Sequence, residues 1–277
     1  MSNNSTFLWW AALCAVSAIN ILAWSAAAAR AHQQAKTLPA DARLALRLQV
    51  LLSAGYVLGC AYRSAFPVYD VGRMVIVDSF WSSVAVGRSV ATVAELCFAA
   101  QWALLMHAVA RAGGVRWGLR VAQAVLPMIV LAEICSWHSV LTTSNLGHVL
   151  EETLWGLCAA SLVVSLALMW PRVDRALRPV VALAVVMGVA YVGYMFNVDV
   201  PMYWTRWLAE AQHQHLPLSL SDGFADAASR WVVSHRWADW QSEVVWMSLY
   251  FSVAVWMSIG FIHLPARMLA PRPVTPR

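Results

Sequence analysis

Residues 146–170 read LGHVLEETLWGLCAASLVVSLALMW, a run of 25 residues whose only acidic side chains, Glu151 and Glu152, lie near its start. About 20 apolar residues in an α-helix cross the ~30 Å hydrocarbon layer of a membrane, because the helix rises about 1.5 Å per residue. This stretch therefore predicts a transmembrane helix that carries two carboxyl groups and the imidazole of His148 near one end.

The composition extends that prediction to the whole chain of 277 residues. Apolar residues make up 61% of the chain and charged residues 12%, whereas a soluble domain has about 25% charged and just under half apolar residues. The apolar excess is too large for one core and comes in blocks of about 20 residues. We therefore expect an all-α, polytopic membrane protein, and the composition excludes a disordered chain or a secreted disulfide scaffold.

Apolar runs separated by polar or helix-breaking residues predict a single domain over residues 1–277, built as a bundle of seven transmembrane helices. Residues 1–6 carry no positive charge, so the first run is predicted to be a span and not a cleaved signal peptide. The predicted spans cover residues 7–29, 44–62, 84–110, 119–142, 146–170, 177–197 and 241–264.

Charged residues are divided unevenly between the two sides of such a bundle. Of the 19 Lys and Arg residues, 13 fall on one side, whereas 12 of the 14 Asp and Glu residues fall on the other side or within the spans. The positive-inside rule then places the N-terminus outside and the C-terminus in the cytoplasm. We expect a multi-pass protein of a bacterial cytoplasmic (inner) membrane, with a site in the outer half of the bundle.

The longest predicted loop, residues 198–240, lies outside in this topology and is rich in tryptophan. Tryptophan is enriched where a membrane meets water, so an interfacial aromatic belt explains these residues without a further role. The stretches 202–213 and 222–236 also predict short amphipathic helices that lie in the interface. Such helices would be suited to cover a cavity.

Ionisable side chains within the predicted spans carry the functional signal, because a charge at the centre of a transmembrane helix costs about 3 kcal/mol. A rise of about 1.5 Å per residue places Glu95 of span 3 roughly 16 Å and Glu133 of span 4 roughly 14 Å below the outer surface. Since the two carboxyl groups lie at similar depths, we predict Glu95 and Glu133 as catalytic residues, with Glu95 as a general acid or base.

Span 5 adds a pattern that resembles a set of metal ligands. His148 precedes Glu151 by three residues and Glu152 by four, so one helix face presents an imidazole between two carboxyl groups. Imidazole and carboxylate oxygen bind iron, manganese and zinc. We therefore expect a divalent metal ion (Fe, Mn or Zn) held by His148, Glu151, Glu152 and Glu133. The pattern is incomplete, because two-metal helical bundles use Glu-x-x-His and the order here is reversed.

Polar groups near the outer ends of other spans predict a funnel that opens outwards. Arg63 lies at the outer mouth, where the positive-inside rule disfavours arginine. This position predicts an anionic neighbour, either a lipid phosphate or one of the buried acids, or a local salt bridge to Asp70 or Asp78. Arg88 and Glu95 are seven residues apart, so we expect them to flank a shared group without direct contact. The predicted substrate-binding residues are Arg63, Arg88, His138, Asn197 and Asp199.

Three classes of function fit these residues. The leading hypothesis is an integral membrane enzyme whose carboxyl and histidine site opens to the extracytoplasmic leaflet and acts on an apolar or lipid-like substrate. The alternative is a proton- or ion-coupled transporter or channel that uses the same residues. Transporters often have interrupted spans in both halves, whereas Pro127 interrupts span 4 without an obvious counterpart. The third class is a scaffold or receptor in which polar groups only join helices.

Several other functions are excluded by missing residues. The only lysine, Lys36, lies in a predicted loop, so no span can carry a retinal Schiff base. The sequence has no HExxH, GxSxG or Walker pattern. Basic residues are dispersed over short segments, which argues against nucleic acid as a partner. The expected partners are membrane lipids or an apolar small molecule.

Overall fold

The structure is a computed structural model that describes residues 3–175 and 177–264. It confirms an all-α architecture in which seven helices are long and apolar enough to cross a membrane. These candidate spans, numbered 1 to 7, are Asn4–Gln34, Ala40–Ala65, Val84–Gly113, Arg116–Thr142, Leu146–Arg172, Arg178–Glu210 and Val244–Phe261.

The first five spans are each one regular α-helix, and consecutive helices pack against each other in chain order. Their bounds are α1 Asn3–Gln34, α2 Ala40–Ala65, α3 Val84–Gly113, α4 Arg116–Thr142 and α5 Leu146–Met169. α4 and α5 approach closely at Gly147, where an added Cβ atom would lie 2.2 Å from the carbonyl oxygen of Cys135. A residue with a side chain at position 147 would therefore push the start of α5 away from α4.

Span 6 is longer than the predicted span 177–197. α6, Arg178–Tyr194, continues through a π-helical turn at Met195–Asp199 into α7, Val200–Gln212. The predicted helix over 202–213 is therefore present, but it prolongs the span. The π-helical turn directly precedes Pro201, whose ring nitrogen cannot donate a hydrogen bond within the helix.

A small cap covers the end of the bundle where α2 and α4 finish. We use "the cap" for residues 66–83 and 213–243. It contains β1 Val68–Tyr69, β2 Met74–Val75, α8 Leu220–Ser229, β3 Val232–Val233 and α9 Trp237–Trp240. β2 is the middle strand, antiparallel to β1 and parallel to β3. The predicted helix over 222–236 is wrong beyond Ser229, because the β-branched pair Val232 and Val233 joins the sheet instead.

Arg73 fastens the cap to the bundle. Its side chain is fully buried, and the backbone adopts a left-handed φ of 53°. The guanidinium donates hydrogen bonds to Asp226 Oδ2 at 2.8 Å, to the carbonyl of Val140 at 2.8 Å and to that of Asp70 at 3.0 Å. Burial opposes ionisation of Asp226, but hydrogen bonds from Arg230 and Arg73 outweigh it and hold the pKa of this carboxyl below its usual range.

Span 7 is also interrupted by a π-helical turn. It comprises α10 Val244–Leu249, the π-helical turn Tyr250–Ala254 and α11 Val255–Phe261. The side-chain amide of Asn20 on α1 donates a hydrogen bond of 2.8 Å to the carbonyl of Phe251 in this turn. Trp256 in turn donates to Asn20 Oδ1 at 2.8 Å. Asn20 thus binds a backbone oxygen in the interrupted part of span 7, which lipid tails would leave unsatisfied.

A network of uncharged side chains joins spans 2, 3 and 7 deeper in the bundle. Gln101 Nε2 donates to Gln49 Oε1 at 2.8 Å, and Ser258 Oγ donates to Gln101 Oε1 at 2.5 Å. Ser258 Oγ also lies 3.0 Å from Ser53 Oγ, whose hydroxyl can donate to it. All four side chains are fully buried. We call these four residues the neutral network. Hydrogen bonds of this kind hold transmembrane helices together.

Candidate functional site

Arg88 on α3 lies at the centre of carboxyl groups from three helices. Its Nη2 atom is 2.6 Å from Glu133 Oε2, 3.2 Å from Glu95 Oε2 and 3.4 Å from Glu151 Oε1. Its Nη1 atom is 3.9 Å from Asp70 Oδ2 of the cap. Arg88 and the three glutamates are buried. We call Arg88, Glu95, Glu133 and Glu151 the Arg88 cluster.

The structure brings the two predicted catalytic glutamates together. Oxygen atoms of Glu95, Glu133 and Glu151 all lie within 4.8 Å of one another. The expectation that Arg88 and Glu95 do not touch is wrong, because the long arginine side chain extends along α3 towards Glu95. The side chain of Glu95 leans towards the helix N-terminus, so the two together bridge about two helical turns.

Glu133 is held by a second group that the sequence did not reveal. Thr92 Oγ1 donates a hydrogen bond of 2.6 Å to Glu133 Oε2, and Trp137 Nε1 donates one of 3.0 Å to Thr92 Oγ1. Thr92 lies four residues after Arg88 on α3, and that spacing was the available signal. Two donors on α3 therefore position one carboxyl group of α4.

His148 is joined to the cluster through Glu151. Its ring Nδ1 lies 2.7 Å from Glu151 Oε2, while its backbone amide donates to Ser139 Oγ at 2.9 Å. The imidazole also packs against the ring of Tyr203 on α7, with 5.0 Å between centroids. Because Glu151 engages Nδ1, the other ring nitrogen, Nε2, remains for a ligand.

A cavity of about 470 Å³ adjoins these residues. Near the cap its lining is polar, whereas along the helices it becomes apolar as far as Leu166, which lies 18 residues beyond His148, or about 27 Å along α5. The polar lining includes Arg63, Asp70, Arg88, Glu95, His148, Glu151, Glu152, Asp199 and Glu243. The apolar lining includes Phe98, Trp102, Ile129, Trp155, Leu162, Leu166 and Met257.

The apolar part of the cavity lies where two spans fail to meet. Among the described residues, α6 packs extensively against α5 and against the π-helical turn that follows it, but not against α10 or α11. Residues of both spans line the cavity, such as Gly188 of span 6 and Met257 of span 7. The cavity therefore lies between α6 and span 7.

Arg206 and Glu243 form an ion pair beside the cavity, which Glu243 lines. Arg206 Nη2 is 3.4 Å from Glu243 Oε1, and Trp246 Nε1 donates to Glu243 Oε2 at 2.7 Å. The guanidinium also lies over the rings of Tyr69 and Tyr203, 5.3 Å and 5.2 Å from their centroids. Burial raises the pKa of the Tyr69 hydroxyl, although Arg206 opposes this shift. Arg206 was not predicted as a site residue, because an arginine in a predicted loop does not by itself indicate a functional site.

The predicted substrate-binding residues divide into two groups. Arg63 and Asp199 are buried and line the cavity, together with Arg88, and Arg63 has the predicted anionic neighbour, Asp70, at 3.9 Å. His138 and Asn197 are exposed and do not line it. His138 follows Glu133 by five residues, so the helix turns its side chain to another face.

The predicted metal ligands are only partly assembled. Glu133 and Glu151 meet, with Glu95 as the third carboxyl group instead of Glu152, and His148 Nδ1 engages Glu151. The guanidinium of Arg88 lies among these three carboxyl groups, and a divalent ion bound to all of them would have to displace it. One guanidinium balances one of three carboxylates, so protons or a further cation must balance the remaining charge.

Comparisons with known proteins identify no relative. No protein-family model matches the chain, and searches of curated proteins and of solved structures found no match. The arrangement of the chain's own residues must therefore carry the functional argument. That arrangement is a buried arginine–carboxyl–imidazole cluster beside a long cavity whose lining changes from polar to apolar.

Proposed function

We propose that the protein is an integral membrane enzyme that acts on a lipid-like molecule bound in the cavity. The lining of the cavity carries this proposal, because buried acid and base groups lie near the cap and apolar side chains continue for about 27 Å beyond them. A molecule with a polar head and a hydrocarbon tail matches both parts. The head would lie beside the groups that carry out proton transfer.

The chain offers two groups for proton transfer to such a head. His148 lines the cavity with Nε2 available, and Glu151 acts as its positioning residue through Nδ1, itself held by Arg88. Glu95 also lines the cavity and is the second acid or base. Glu133 does not line the cavity, so we assign it a positioning role through Arg88 instead of the predicted catalytic one.

The topology of the chain supports access from the membrane. With the cap on the extracytoplasmic side, as the positive-inside rule predicts, the site opens to the outer leaflet of a bacterial inner membrane. The substrate would pass between α6 and span 7, which do not pack extensively against each other among the described residues. Water-soluble substrates would have no need of this opening.

A metal-dependent form of the enzyme differs in one respect. Glu95, Glu133 and Glu151 would hold the ion, with the Arg88 guanidinium moved aside. A bound divalent ion would supply Lewis acidity and activate water. Metal analysis of the purified protein distinguishes the two forms, since stoichiometric Fe, Mn or Zn that is lost in Glu133→Gln supports the metal-dependent one.

Conversion of lipids tests the enzyme directly. The protein in lipid nanodiscs is incubated with a total lipid extract, and the lipid species are followed by mass spectrometry. We expect some species to be consumed, and consumption to fall at least about 100-fold in His148→Gln. His138→Gln is the matched control, because this histidine is exposed and lies outside the cavity. Equal conversion by His148→Gln and the wild type would overturn the assignment.

A transporter or channel is the second candidate, and two observations favour it. Arg88 lies between two carboxyl groups, Asp70 in the cap and Glu95 within α3, so ionisable groups extend from the cap into the bundle. π-helical turns, which often occur at functional sites, interrupt both spans beside the cavity. Proteoliposomes with an internal pH-sensitive dye provide the test. Proton flux that Glu133→Gln abolishes, without any lipid conversion, would replace the enzyme by a carrier.

A further inference from the structure

Two carboxyl groups on the cavity wall take no part in the ion pairs that the described residues form. Glu152 on α5 and Asp199 in the π-helical turn of span 6 both line the cavity. Among the described residues, neither lies within ion-pair distance of an arginine, lysine or histidine. Glu152 is close enough to Glu151 and Asp199 for mutual repulsion. This wall therefore presents carboxyl groups that are outside the ion pairs of the described residues, and a bound cation would favour their ionised forms.

Aromatic rings surround the same two carboxyl groups. Tyr191, Tyr194 and Tyr203 line the cavity, and each interacts electrostatically with Glu152. The Arg206 guanidinium lies over the ring of Tyr203, which leaves Tyr191 and Tyr194 for a ligand. Faces of aromatic rings attract ammonium groups, and quaternary ammonium ligands are bound in such aromatic cages. Carboxyl groups and rings together therefore favour a cation.

The charged residues around the whole cavity also favour a cationic ligand. Its lining includes six carboxyl groups and two arginines. Both arginines already lie beside carboxyl groups, Arg63 near Asp70 and Arg88 among the glutamates of its cluster. A purely anionic head would meet repulsion from most of the polar lining.

The two arginines add a second, independent requirement. Arg63 and Arg88 are 5% and 4% exposed, and both line the cavity. The Nε atom of each is buried away from the cavity, so the parts of the guanidinium groups that line the cavity are what a ligand can reach. An oxygen acceptor on the ligand would form charge-assisted hydrogen bonds with these groups.

We infer that the head of the lipid-like substrate carries an ammonium group, bound by Glu152, Asp199, Tyr191 and Tyr194, together with an oxygen acceptor for Arg63 and Arg88. This inference rests on the proposed function, because it specifies the substrate class of the same cavity. The apolar lining between spans 6 and 7 receives the hydrocarbon tail. The oxygen acceptor belongs to a hydroxyl, an ester or a phosphate group.

Binding of amphiphiles that share one tail tests the head group. The four probes are dodecyltrimethylammonium, dodecylphosphocholine, dodecyl maltoside and dodecanoate, added to nanodiscs with the protein and to empty nanodiscs. Binding is the excess in the protein-containing discs. We expect both ammonium probes to bind at least tenfold more tightly than the maltoside and dodecanoate. Dodecylphosphocholine should bind more tightly than dodecyltrimethylammonium, since only its head has oxygen acceptors.

Variants connect this preference to the two carboxyl groups. Glu152→Gln and Asp199→Asn should each remove most of the tenfold preference while maltoside binding stays at the wild-type level, which also shows that the variants fold. Asp41→Asn is the control, because it removes the same charge from an exposed position in the first turn of α2. This variant should bind all four probes as the wild type does.

The remaining outcomes separate the two proposals. Equal binding of all four probes, or strongest binding of dodecanoate, overturns the ammonium head and leaves a lipid-like substrate standing. A preference for ammonium that survives in both Glu152→Gln and Asp199→Asn overturns its assignment to this wall. No binding above empty nanodiscs overturns the lipid-like substrate itself.

Discussion

Two buried polar networks lie on α3 less than two helical turns apart, and they differ in charge and in completeness. The neutral network uses Gln101, and among its described side chains every buried nitrogen and oxygen has a hydrogen-bond partner. The Arg88 cluster uses Glu95, and it leaves Arg88 Nε and Glu133 Oε1 without a partner in the described part of the chain.

The difference separates a structural role from a functional one. Hydrogen bonds between uncharged side chains in a membrane protein contribute about 0.6 kcal/mol each, which suffices to hold helices together. Charged groups in the same surroundings cost several times more, and they persist in membrane proteins mainly where a pathway or a site uses them. The Arg88 cluster also borders a cavity, whereas helix packing accounts fully for the neutral network.

Removing the central cation should have the largest effect. Arg88→Met leaves three carboxyl groups buried without their partner, so we expect a loss of about 3–5 kcal/mol of stability. Thermal unfolding in detergent, followed by tryptophan fluorescence, measures it. The double variant Arg88→Met/Glu133→Gln should recover part of the loss, because it removes one unpaired charge. If Arg88→Met unfolds at the wild-type temperature, the cluster is not organised by Arg88.

The second-largest effect is expected where α5 packs closely against α4, at the residue before His148. Gly147→Ala places a Cβ atom 2.2 Å from the Cys135 carbonyl oxygen and 2.9 Å from the Ser139 amide, both backbone atoms that cannot rotate away. We expect a loss of about 1–3 kcal/mol in thermal unfolding. Gly193→Ala is the matched control, since nothing lies within 4 Å of its added Cβ. Equal behaviour of both variants would mean that α4 and α5 are not in close contact here.

The neutral network should respond more weakly and without a functional effect. Gln101→Leu removes hydrogen bonds to Gln49 and Ser258, which should cost about 1–2 kcal/mol. Lipid conversion and amphiphile binding should remain within about twofold of the wild type at a temperature where both are folded. A loss of conversion as large as that of His148→Gln would erase the distinction between the two networks.

The smallest effect is expected in the cap, whose stability should depend on pH. Hydrogen bonds from Arg230 and Arg73 lower the pKa of Asp226, so the folded cap gains stability above the unfolded-state pKa of 3.8 and loses it as the pH falls further. We expect limited proteolysis of residues 230–236 to accelerate below about pH 4. Asp226→Asn should show the faster cleavage already at pH 7, and an unchanged rate would separate Asp226 from cap stability.

The sequence determines the spans and the depths of their polar groups more reliably than it determines contacts. Apolar runs of about 20 residues have no stable alternative in a membrane, so all seven spans were predictable. Glu95 and Glu133 were expected at one depth because every α-helix rises by the same amount per residue. The spacing of His148 and Glu151 likewise predicted their contact, since residues three apart share a helix face.

Contacts between spans depend on the rotation of each helix, which one sequence does not reveal. Glu151 rather than Glu152 joins Arg88, and the two differ by about 100° around α5. The direct contact between Arg88 and Glu95 depends on how far an arginine side chain extends. Thr92 and Arg206 escaped notice because a threonine in a span and an arginine in a loop are both common.

The π-helical turn at Met195–Asp199 changes the direction in which all later residues of span 6 point around the helix axis. One extra residue in a helical turn rotates everything after it by about 100° relative to a regular helix. Tyr203 and Arg206, which contact His148 and Tyr69, owe their direction to that rotation. Deleting a single residue from the turn would swing both away together, so the number of residues in this turn sets their direction more than the identity of those residues does.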